Sequence, residues 1–371
     1  MLPTMADPHP RIMEARLHRQ LEAIFRAWGF PADQAAVSAD VLTAADLLGI
    51  DSHGITLIPL YDELVRSGMV ATAPDIRIVR DFGATAVIDG GGGFGQAPSL
   101  RAMDLAIDKA RAFGVGAVAV RNSNHFGAAG IYALRAAERG FVGLATTAVF
   151  KASIVPTHGR EARFGTNPIA FAAPARRNPP FLLDMATSTV ALGKFKLYAR
   201  DGKTMPPGWA LDEAGRPQTD PNQALVDRLM TPLGGVRESG GHKGYGLAAM
   251  VEILSTILAG SSYAPLRAAG AERNDVGHFH LALHPEAFRD KGVFESDLDA
   301  LLEALRATPP ADPAQAVMVA GDPEYAARER RRRDGVPVPR SLLAQVQGIA
   351  ERIGAEFSLA ETAGSEPPVS R

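Results

Sequence analysis

The chain has 371 residues, of which 46% are hydrophobic and 22% charged, and its formal net charge is −2. This composition is typical of a folded protein with a sizeable core, and the near-neutral charge gives no reason to expect a nucleic-acid partner. The absence of cysteine excludes disulfides, thiolate zinc sites and a cysteine nucleophile.

No segment of the sequence is typical of an export signal or a membrane anchor. The N-terminal residues lack an apolar stretch of signal-peptide length. No apolar run reaches the roughly 18 residues that a membrane span needs. We therefore expect a cytoplasmic protein that binds neither membrane nor nucleic acid and acts on a small molecule.

The first part of the chain predicts helices and a histidine at a tight turn. Apolar residues recur at helical spacing over residues 17–25, and Pro31 suits the start of a second helix. That helix leads into Ser52-His53-Gly54, and residues 61–66 predict a third helix. His53 has two interpretations: a solvent-exposed histidine at a helix end, or a functional side chain that a ligand approaches closely because Gly54 lacks a side chain.

A glycine-rich run follows two predicted strands, over residues 76–79 and 85–88. Residues 90–95, GGGGFG, satisfy the GxGxxG pattern and precede a helical pattern that begins at Leu100. This imitates a dinucleotide-binding fingerprint, in which a helix N-terminus binds pyrophosphate. That fingerprint requires an acidic residue about 20 residues further on, and none ends a second strand there. We therefore expect a structural glycine turn rather than a phosphate site.

The segment VRNSNHFGAAG, residues 120–130, is the most informative part of the sequence. It joins a predicted strand, residues 115–120, to a predicted helix, residues 131–139. Ser123 and His125 therefore lie where a strand ends and a helix begins, where free backbone N–H groups can bind a ligand. Because histidine exchanges a proton near neutral pH, His53 and His125 are a plausible acid/base pair.

Asp184 lies at the end of a predicted strand over residues 181–185, after a predicted strand over residues 142–149 and a turn with an apolar strand over residues 164–174. Ligands gather at the carboxyl ends of strands in α/β sheets, so this carboxylate could orient a histidine. The alternative is an N-cap for a helix predicted over residues 187–200, with Thr187 and Ser188 at its start.

Lys243 lies between glycines where a strong helical pattern begins. The lysine charge, the helix dipole and free N–H groups together favour an anion, such as a cofactor phosphate. The alternative is a solvated lysine. The predicted apolar stripe of this helix is Leu247, Val251, Leu254 and Leu258, and Gly260 ends the helix.

The remaining polar patterns favour structure over chemistry. Histidines 278, 280 and 284 would share one face of a strand over residues 277–283, but no acidic residue alternates with them, so we expect no metal site. The run of arginines over residues 328–333 is typical of a solvated helix face. Gly165-Thr166-Asn167-Pro168 favours a turn. Further helices are predicted over residues 296–307 and 341–353, and the last dozen residues are expected to be disordered.

Several of these segments, taken together and in order, resemble the malate/L-lactate dehydrogenase family of the sulfolactate dehydrogenase type. The resemblance extends from about residue 10 to residue 350 and rests on SHGI with PLY (52–61), VRNSNHFG (120–127), GTNPIAFAAP (165–174), DMATS with GK (184–194), PPGWALDEAGRPQTDP (206–221), GGHKGYGLA (240–248), AGDPE (320–324) and DGVPVP (334–339).

The resemblance implies an α/β, non-Rossmann fold in which a central cofactor domain is inserted between terminal segments. The expected segments are 1–120 for a helical substrate and dimerisation part, 121–285 for the cofactor domain, and 286–371 for a helical part that packs with the first. It also implies an NAD- or NADP-dependent homodimer that transfers hydride to or from C2 of a small 2-oxo or 2-hydroxy acid. Two alternatives are reduction of a cyclic imino acid and a non-catalytic cofactor-binding protein.

The same resemblance assigns roles to individual residues. His53, His125 and Asp184 fall on acid/base positions, accompanied by Ser52 and Ser123. The implied cofactor contacts are His125, Asp184, Met185, Ala186, Lys243, Gly321 and Asp322. The family often carries an arginine where this chain has Leu57, so the resemblance leaves the carboxylate anchor of the substrate unassigned.

Overall fold

A computed structural model describes residues 9–149, 151–263 and 274–360. Its contacts divide the chain into two units: Met1–Ser67 with Pro323–Arg371, and Gly68–Asp322. The second unit is inserted between the terminal segments, as the resemblance implied. These boundaries differ from those of the three predicted functional segments, and that functional division stays a prediction. The predicted disordered tail falls almost entirely outside the described residues.

Helices and strands alternate along the chain. The helices are α1 (Glu14–Ala27), α2 (Ala32–Leu47), α3 (Ile58–Arg66), α4 (Gln96–Phe113), α5 (Gly130–Ala137), α6 (Leu192–Arg200), α7 (Pro221–Asp227), α8 (Gly241–Glu252), α9 (Val293–Arg306), α10 (Asp322–Asp334) and α11 (Arg340–Ile353). The strands are β1 (Arg11–Ile12), β2 (Arg77–Phe82), β3 (Thr85–Asp89), β4 (Val115–Ser123), β5 (Val142–Thr147), β6 (Ile169–Ala173), β7 (Phe181–Met185), β8 (Ala210–Leu211), β9 (Pro217–Gln218), β10 (Val276–Leu283) and β11 (Val336–Pro337).

The terminal unit is helical and is built where apolar periodicity predicts it. Leu17, Leu21, Ile24 and Phe25 of α1 are fully buried, because their spacing places them on one helix face. α1 and α11 also contact each other, and the short strands β1 and β11 pair antiparallel. The sequence at both ends of the chain therefore contributes to one unit.

The central unit is organised around a seven-stranded sheet in the order β2-β3-β4-β10-β5-β6-β7. β3 and β4 are parallel, and every other neighbouring pair is antiparallel. It follows that β3, β4, β5 and β7 all run in one direction. Their carboxyl ends therefore meet at one edge of the sheet, which we call the carboxyl edge.

α4 connects β3 to β4 and packs closely on the sheet. A side chain at Gly116 would place its Cβ 2.0 Å from the carbonyl oxygen of Ala106, so glycine permits the contact between α4 and β4. Met103, Ala106 and Ile107 are fully buried in that contact. This packing holds the start of β4 against α4.

Three sequence-based element predictions are wrong in detail. The helix predicted from Thr187 begins only at Leu192, because both the hydroxyl and the backbone N–H of Thr187 donate to the Thr166 carbonyl oxygen, at 3.0 and 2.9 Å, instead of taking part in a helix. The stripe predicted on α8 is broken by a π-helical turn, Ile253–Ile257, which leaves Leu258 58% exposed. His284 lies beyond β10, where its ring accepts the N–H of Glu286 at 3.2 Å.

No helix in the described part of the chain is long and apolar enough to cross a membrane. Within the same residues, no group of three or more histidine, aspartate or glutamate side chains is arranged to hold a metal ion.

Candidate active site

The glycine run 90–95 is hydrogen-bonded to the segment that carries His125. The N–H groups of Gly90, Gly92 and Gly95 donate to the carbonyl oxygens of Arg121, Asn122 and His125 at 2.9, 2.8 and 3.0 Å. A Cβ on Gly95 would lie 2.5 Å from the Asn124 carbonyl oxygen, so only glycine fits there. These N–H groups are therefore used by the backbone, which agrees with the predicted structural turn.

Ser123 is the last residue of β4, and its side chain is directed into the protein interior rather than to solvent. It is fully buried, and its Oγ lies 3.0 Å from Nε2 of His278. Nδ1 of His278 is bonded to Oγ1 of Thr147 at 2.7 Å, and the ring stacks on Phe126 at 4.6 Å. Burial lowers the pKa of His278 well below its usual value, so this ring is neutral. We assign Ser123 to the support of the strand end.

His125 begins the turn between β4 and α5. Its side chain is half-buried, and Nδ1 accepts the N–H of Gly127 at 3.3 Å. The next residue, Phe126, is buried, and its carbonyl oxygen accepts the hydroxyl of Tyr132. The backbone on both sides of His125 is thus anchored, two residues beyond the carboxyl end of β4.

Asp184 joins the end of β7 to the start of α5. Its Oδ2 accepts the backbone N–H of Gly130 at 2.7 Å, and a Cβ on Gly130 would lie 2.8 Å from that oxygen. A carboxylate is stabilised at a helix N-terminus by the free N–H groups and the dipole. The predicted alternative, an N-cap of the next helix along the chain, is wrong because Ala191 occupies that position.

The Gly321-Asp322 turn follows a residue that is hydrogen-bonded to β7. The N–H of Leu182 donates to the Ala320 carbonyl oxygen at 3.3 Å. Arg306 forms two hydrogen bonds to the Asp322 carboxylate, at 2.7 and 3.0 Å, and lowers its pKa. That carboxylate is therefore already paired, and the backbone of the turn is the part left to meet a ligand.

The start of α8 is held against the segment that follows Asp184. Gly244 packs so closely that its Cβ would lie 2.1 Å from the Leu233 carbonyl oxygen, and the N–H of Leu233 donates to the Thr187 carbonyl oxygen at 2.8 Å. Lys243 is exposed at this helix start. Its own N–H is bonded to Gly240, so fewer free N–H groups point outward than the sequence suggested.

His53 belongs to the terminal unit and is paired with its neighbour. Oγ of Ser52 lies 2.7 Å from Nδ1 of His53. Burial lowers the pKa of His53, which is therefore neutral at neutral pH. The Ser52 hydroxyl therefore contacts the His53 ring directly, and the catalytic role of the two residues stays a prediction.

Asp46 supports the turn that carries His53, and sequence reasoning missed it. Its Oδ2 accepts the N–H of Ile55 at 2.8 Å, and a Cβ on Gly54 would lie 1.9 Å from Oδ1. Burial raises the pKa of Asp46 to about 8. The sequence does contain one indication of this role: Asp46 is an acidic residue among apolar residues at the end of α2, where a buried carboxyl needs a hydrogen-bond partner.

The prediction that the arginine run forms a solvated helix face is wrong for Arg331. This residue is only 7% exposed and donates to the Asp46 carbonyl oxygen at 2.6 Å and to the Asp51 carboxylate. One member of the run therefore anchors the segment that precedes Ser52.

Two other motifs have structural roles. Asn167 adopts a left-handed backbone with φ +35°, and its amide donates to the Ala248 carbonyl oxygen and the Glu252 carboxylate at 3.0 and 2.8 Å. His280 is fully buried, with its ring 5.4 Å from that of Tyr132, and burial lowers its pKa to about 3. Neither side chain lies on the solvent side of the candidate site.

Comparison with known proteins fixes the family. The family model described as malate/L-lactate dehydrogenase matches residues 12–347. The chain belongs to the malate/L-lactate dehydrogenase family. This confirms the resemblance inferred from the motifs.

Two curated relatives match almost the whole chain. The malate dehydrogenase of Pyrococcus horikoshii is 38% identical over 348 residues, which are 93% of this chain and 96% of the relative. The L-sulfolactate dehydrogenase of Methanocaldococcus jannaschii is 37% identical over 335 residues, 89% of this chain and 94% of the relative.

Solved structures of the family share the fold. Malate dehydrogenase from Entamoeba histolytica has a TM-score of 0.89 at 32% identity and covers 94% of this chain and 99% of its own. Sulfolactate dehydrogenase from Methanocaldococcus jannaschii has a TM-score of 0.86 at 36% identity, covering 94% and 98%. A piperideine-2-carboxylate reductase from Pseudomonas syringae has a TM-score of 0.81 at 30% identity, covering 92% and 100%. The predicted fold class is confirmed.

Proposed function

We propose that this member of the family is an NAD(P)-dependent dehydrogenase that interconverts a small 2-hydroxy acid and its 2-oxo acid. The observation that carries the proposal is the hydrogen bond that joins Asp184, at the carboxyl end of β7, to the turn that follows His125, with the start of α8 that carries Lys243 packed on the segment after Asp184. In α/β sheets the carboxyl edge is where ligands bind. Relatives named as malate and sulfolactate dehydrogenases support the same reaction class.

The central unit offers groups that fit a nicotinamide dinucleotide. Lys243 is an exposed cation at a helix start, and Asp184-Met185-Ala186 and Gly321 lie on neighbouring backbone. We assign Lys243 to a cofactor phosphate, and the backbone of Met185, Ala186 and Gly321 to the dinucleotide. The bound nicotinamide supplies or accepts the hydride at C2. These residues bind and orient the dinucleotide.

His53 is our choice for the residue that moves the proton on the substrate oxygen. Its Nδ1 lies 2.7 Å from the Ser52 hydroxyl, and an Nδ1–H can donate to that hydroxyl oxygen whether the ring is neutral or protonated, which leaves Nε2 to accept or release the substrate proton. Both protonation states of His53 are therefore accommodated. Its lowered pKa keeps the ring neutral and able to accept the hydroxyl proton when the alcohol is oxidised.

His125 has a different environment, which suits a positioning role. Its Nδ1 accepts a backbone N–H from Gly127, and that donor cannot reverse. The contact favours the neutral tautomer that carries its proton on Nε2. We assign this Nε2–H to a hydrogen bond with the substrate carbonyl or the nicotinamide carboxamide.

A cyclic imino acid reductase is the second candidate. The observation that favours it is Leu57, an apolar and only 7% exposed side chain where the resemblance expects an arginine. Without a guanidinium, a doubly charged acid such as malate lacks a two-pronged partner at this position. A non-catalytic binding protein is the third candidate, and the retention of His53, His125 and Asp184 speaks against it.

We also propose that the protein is a homodimer located in the cytoplasm. A row of apolar side chains on α8 and the following turn is exposed: Met250 at 38%, Ile253 at 53%, Ile257 at 57% and Leu258 at 58%. Such a contiguous row is typical of an interaction surface. Light scattering at micromolar concentration should give the dimer mass, and Ile257→Asp should give the monomer mass; a wild-type monomer would refute the dimer.

The decisive experiment combines binding with turnover. Purified protein should bind NADH or NADPH in a fluorescence titration and then reduce members of a panel of 2-oxo acids. Cyclic imines form the comparison panel, ranked by kcat/KM. Turnover of imines alone would replace the first candidate by the second, and cofactor binding with no turnover of either panel would favour the third.

A further inference from the structure

A solvent-accessible cleft of about 410 Å³ opens in the central unit beside the proposed cofactor groups. Its walls come from residues 155–160, 211, 214–215, 231–232 and 235–238. None of these residues carries a role in the reaction proposed above. The lining is rich in glycine and proline, so backbone approaches the cleft closely on several sides.

Hydrogen bonds tie this cleft to both proposed cofactor elements. The N–H of Thr189 donates to the carbonyl oxygen of Thr231, a lining residue, at 3.0 Å. On the other side, the N–H of Gly241 donates to the carbonyl oxygen of Val236, also in the lining, at 2.9 Å. The cleft therefore lies between the continuation of the Asp184 strand and the helix start that carries Lys243.

The charge of the cleft favours an anion. Arg160 and Arg237 are exposed in the lining, and among the described residues neither forms an ion pair or a side-chain hydrogen bond. Arg163 and Arg216 nearby are instead paired with Glu161 and Asp212. An arginine without a carboxylate partner can offer its planar fork to a phosphate.

Two more polar groups face or border the cleft. Oγ1 of Thr157 is buried and has no hydrogen-bond partner among the described residues, a cost that a ligand atom would remove. Glu238 is the one carboxylate in the lining. Alone it would favour the ribose hydroxyls of NAD, but two guanidinium groups oppose one carboxylate and leave the lining net positive.

We propose that this cleft binds the adenosine end of the dinucleotide, with Arg160 and Arg237 at the ribose 2′-phosphate, so that the enzyme prefers NADP(H). This inference rests on the proposed function and adds to it the choice between the two cofactors. The second charge of the 2′-phosphate is the feature that the two arginines recognise. The hydroxyl of Thr157 is a further donor to the same ribose phosphate.

The test measures binding directly, by calorimetry or fluorescence, without turnover. Four probes are titrated into the full chain: NADPH, NADH, 2′,5′-ADP and 5′-AMP. The variants are Arg160→Ala and Arg237→Ala, and Arg163→Ala is the control because it removes the same charge from an arginine outside the cleft lining. Loss of one charge-assisted contact should weaken binding of the 2′-phosphorylated probes by about tenfold.

The proposal expects wild-type protein to bind NADPH and 2′,5′-ADP more tightly than NADH and 5′-AMP. It expects the two cleft variants to lose that difference and the control to keep it. Equal or tighter binding of NADH, unchanged by either cleft variant, overturns the proposal and leaves the dehydrogenase function standing. Binding of neither dinucleotide overturns both.

Discussion

The Asp184 carboxylate accepts the backbone N–H of Gly130 at 2.7 Å, which joins the end of strand β7 to the first turn of helix α5. The two residues are distant in sequence, yet this contact closes the N-terminus of the helix that follows His125. A single carboxylate thus holds the turn of the proposed site, and it is also one of the residues to which we propose an acid/base role.

Replacing Asp184 should separate these two functions. Asp184→Ala removes the helix-capping acceptor and should cost about 1 kcal/mol of unfolding free energy, whereas Asp184→Asn keeps an oxygen acceptor and most of that stability. Both variants should lose activity, because both lose the charge. Urea unfolding and kcat/KM on the same samples check this, and a fully active Asp184→Asn would refute the catalytic assignment.

The two histidines should give different kinetic signatures. His53→Asn should lower kcat by about 10²–10⁴-fold and flatten its pH dependence, because it removes the proton carrier. His125→Asn should mainly raise KM and keep the shape of the pH profile.

For alcohol oxidation by the wild type, kcat should fall as pH drops through a pKa below the usual histidine value, since only neutral His53 accepts the proton. If His125→Asn instead lowers kcat and flattens the pH profile while His53→Asn raises KM, His125 is the residue that moves the proton.

Lys243→Ala should weaken cofactor binding more than it slows turnover at saturating cofactor. One charge-assisted phosphate contact is worth about 1.5–3 kcal/mol. His242→Ala, an exposed neighbour at the same helix start, is the matched control. Fluorescence titration of the reduced cofactor measures the effect, and equal affinities for the Lys243 variant and the wild type would remove this residue from the site.

Asp46 should make the fold sensitive to rising pH. Its pKa is raised to about 8 in the folded chain, so the stability it contributes is present below its ordinary value near 3.8 and is lost as pH rises through about 8. Over that interval the loss is on the order of 5 kcal/mol. Asp46→Asn should therefore unfold at a higher urea concentration than the wild type at pH 8–9, while Asp33→Asn, exposed at the start of the same helix, should not. Equal pH dependence in all three proteins would contradict the burial argument.

Leu57 should influence substrate choice. A leucine cannot pair with a carboxylate, whereas an arginine forms two hydrogen bonds with one. The wild type should handle malate poorly, and Leu57→Arg should improve malate relative to bulkier or cyclic substrates. The ratio of kcat/KM values across the panel is the measurement. A ratio that does not change would place residue 57 outside the substrate pocket; Leu57→Met controls for packing in this buried position.

The sequence by itself determined the helices and strands whose residues repeat with a clear apolar period, such as α1, β4 and β7, because burial of one face is a local pattern. It also identified Ser52-His53, His125 and Asp184 as candidate groups, through their position at element ends. It misplaced the start of α6, since the Thr187 hydroxyl bonds across the chain to Thr166 and no local pattern records that contact.

Only the tertiary structure decided what each polar group touches. In the structure, the N–H groups of the GGGGFG run form hydrogen bonds to the backbone around His125 instead of binding a phosphate. Ser123 is buried next to His278. The fold brought the Gly321 turn to β7 and set a carboxyl, Asp46, beneath the turn of His53. The physical reason is common to all four: hydrogen bonds and desolvation depend on atoms that approach from distant parts of the chain, which local periodicity does not encode.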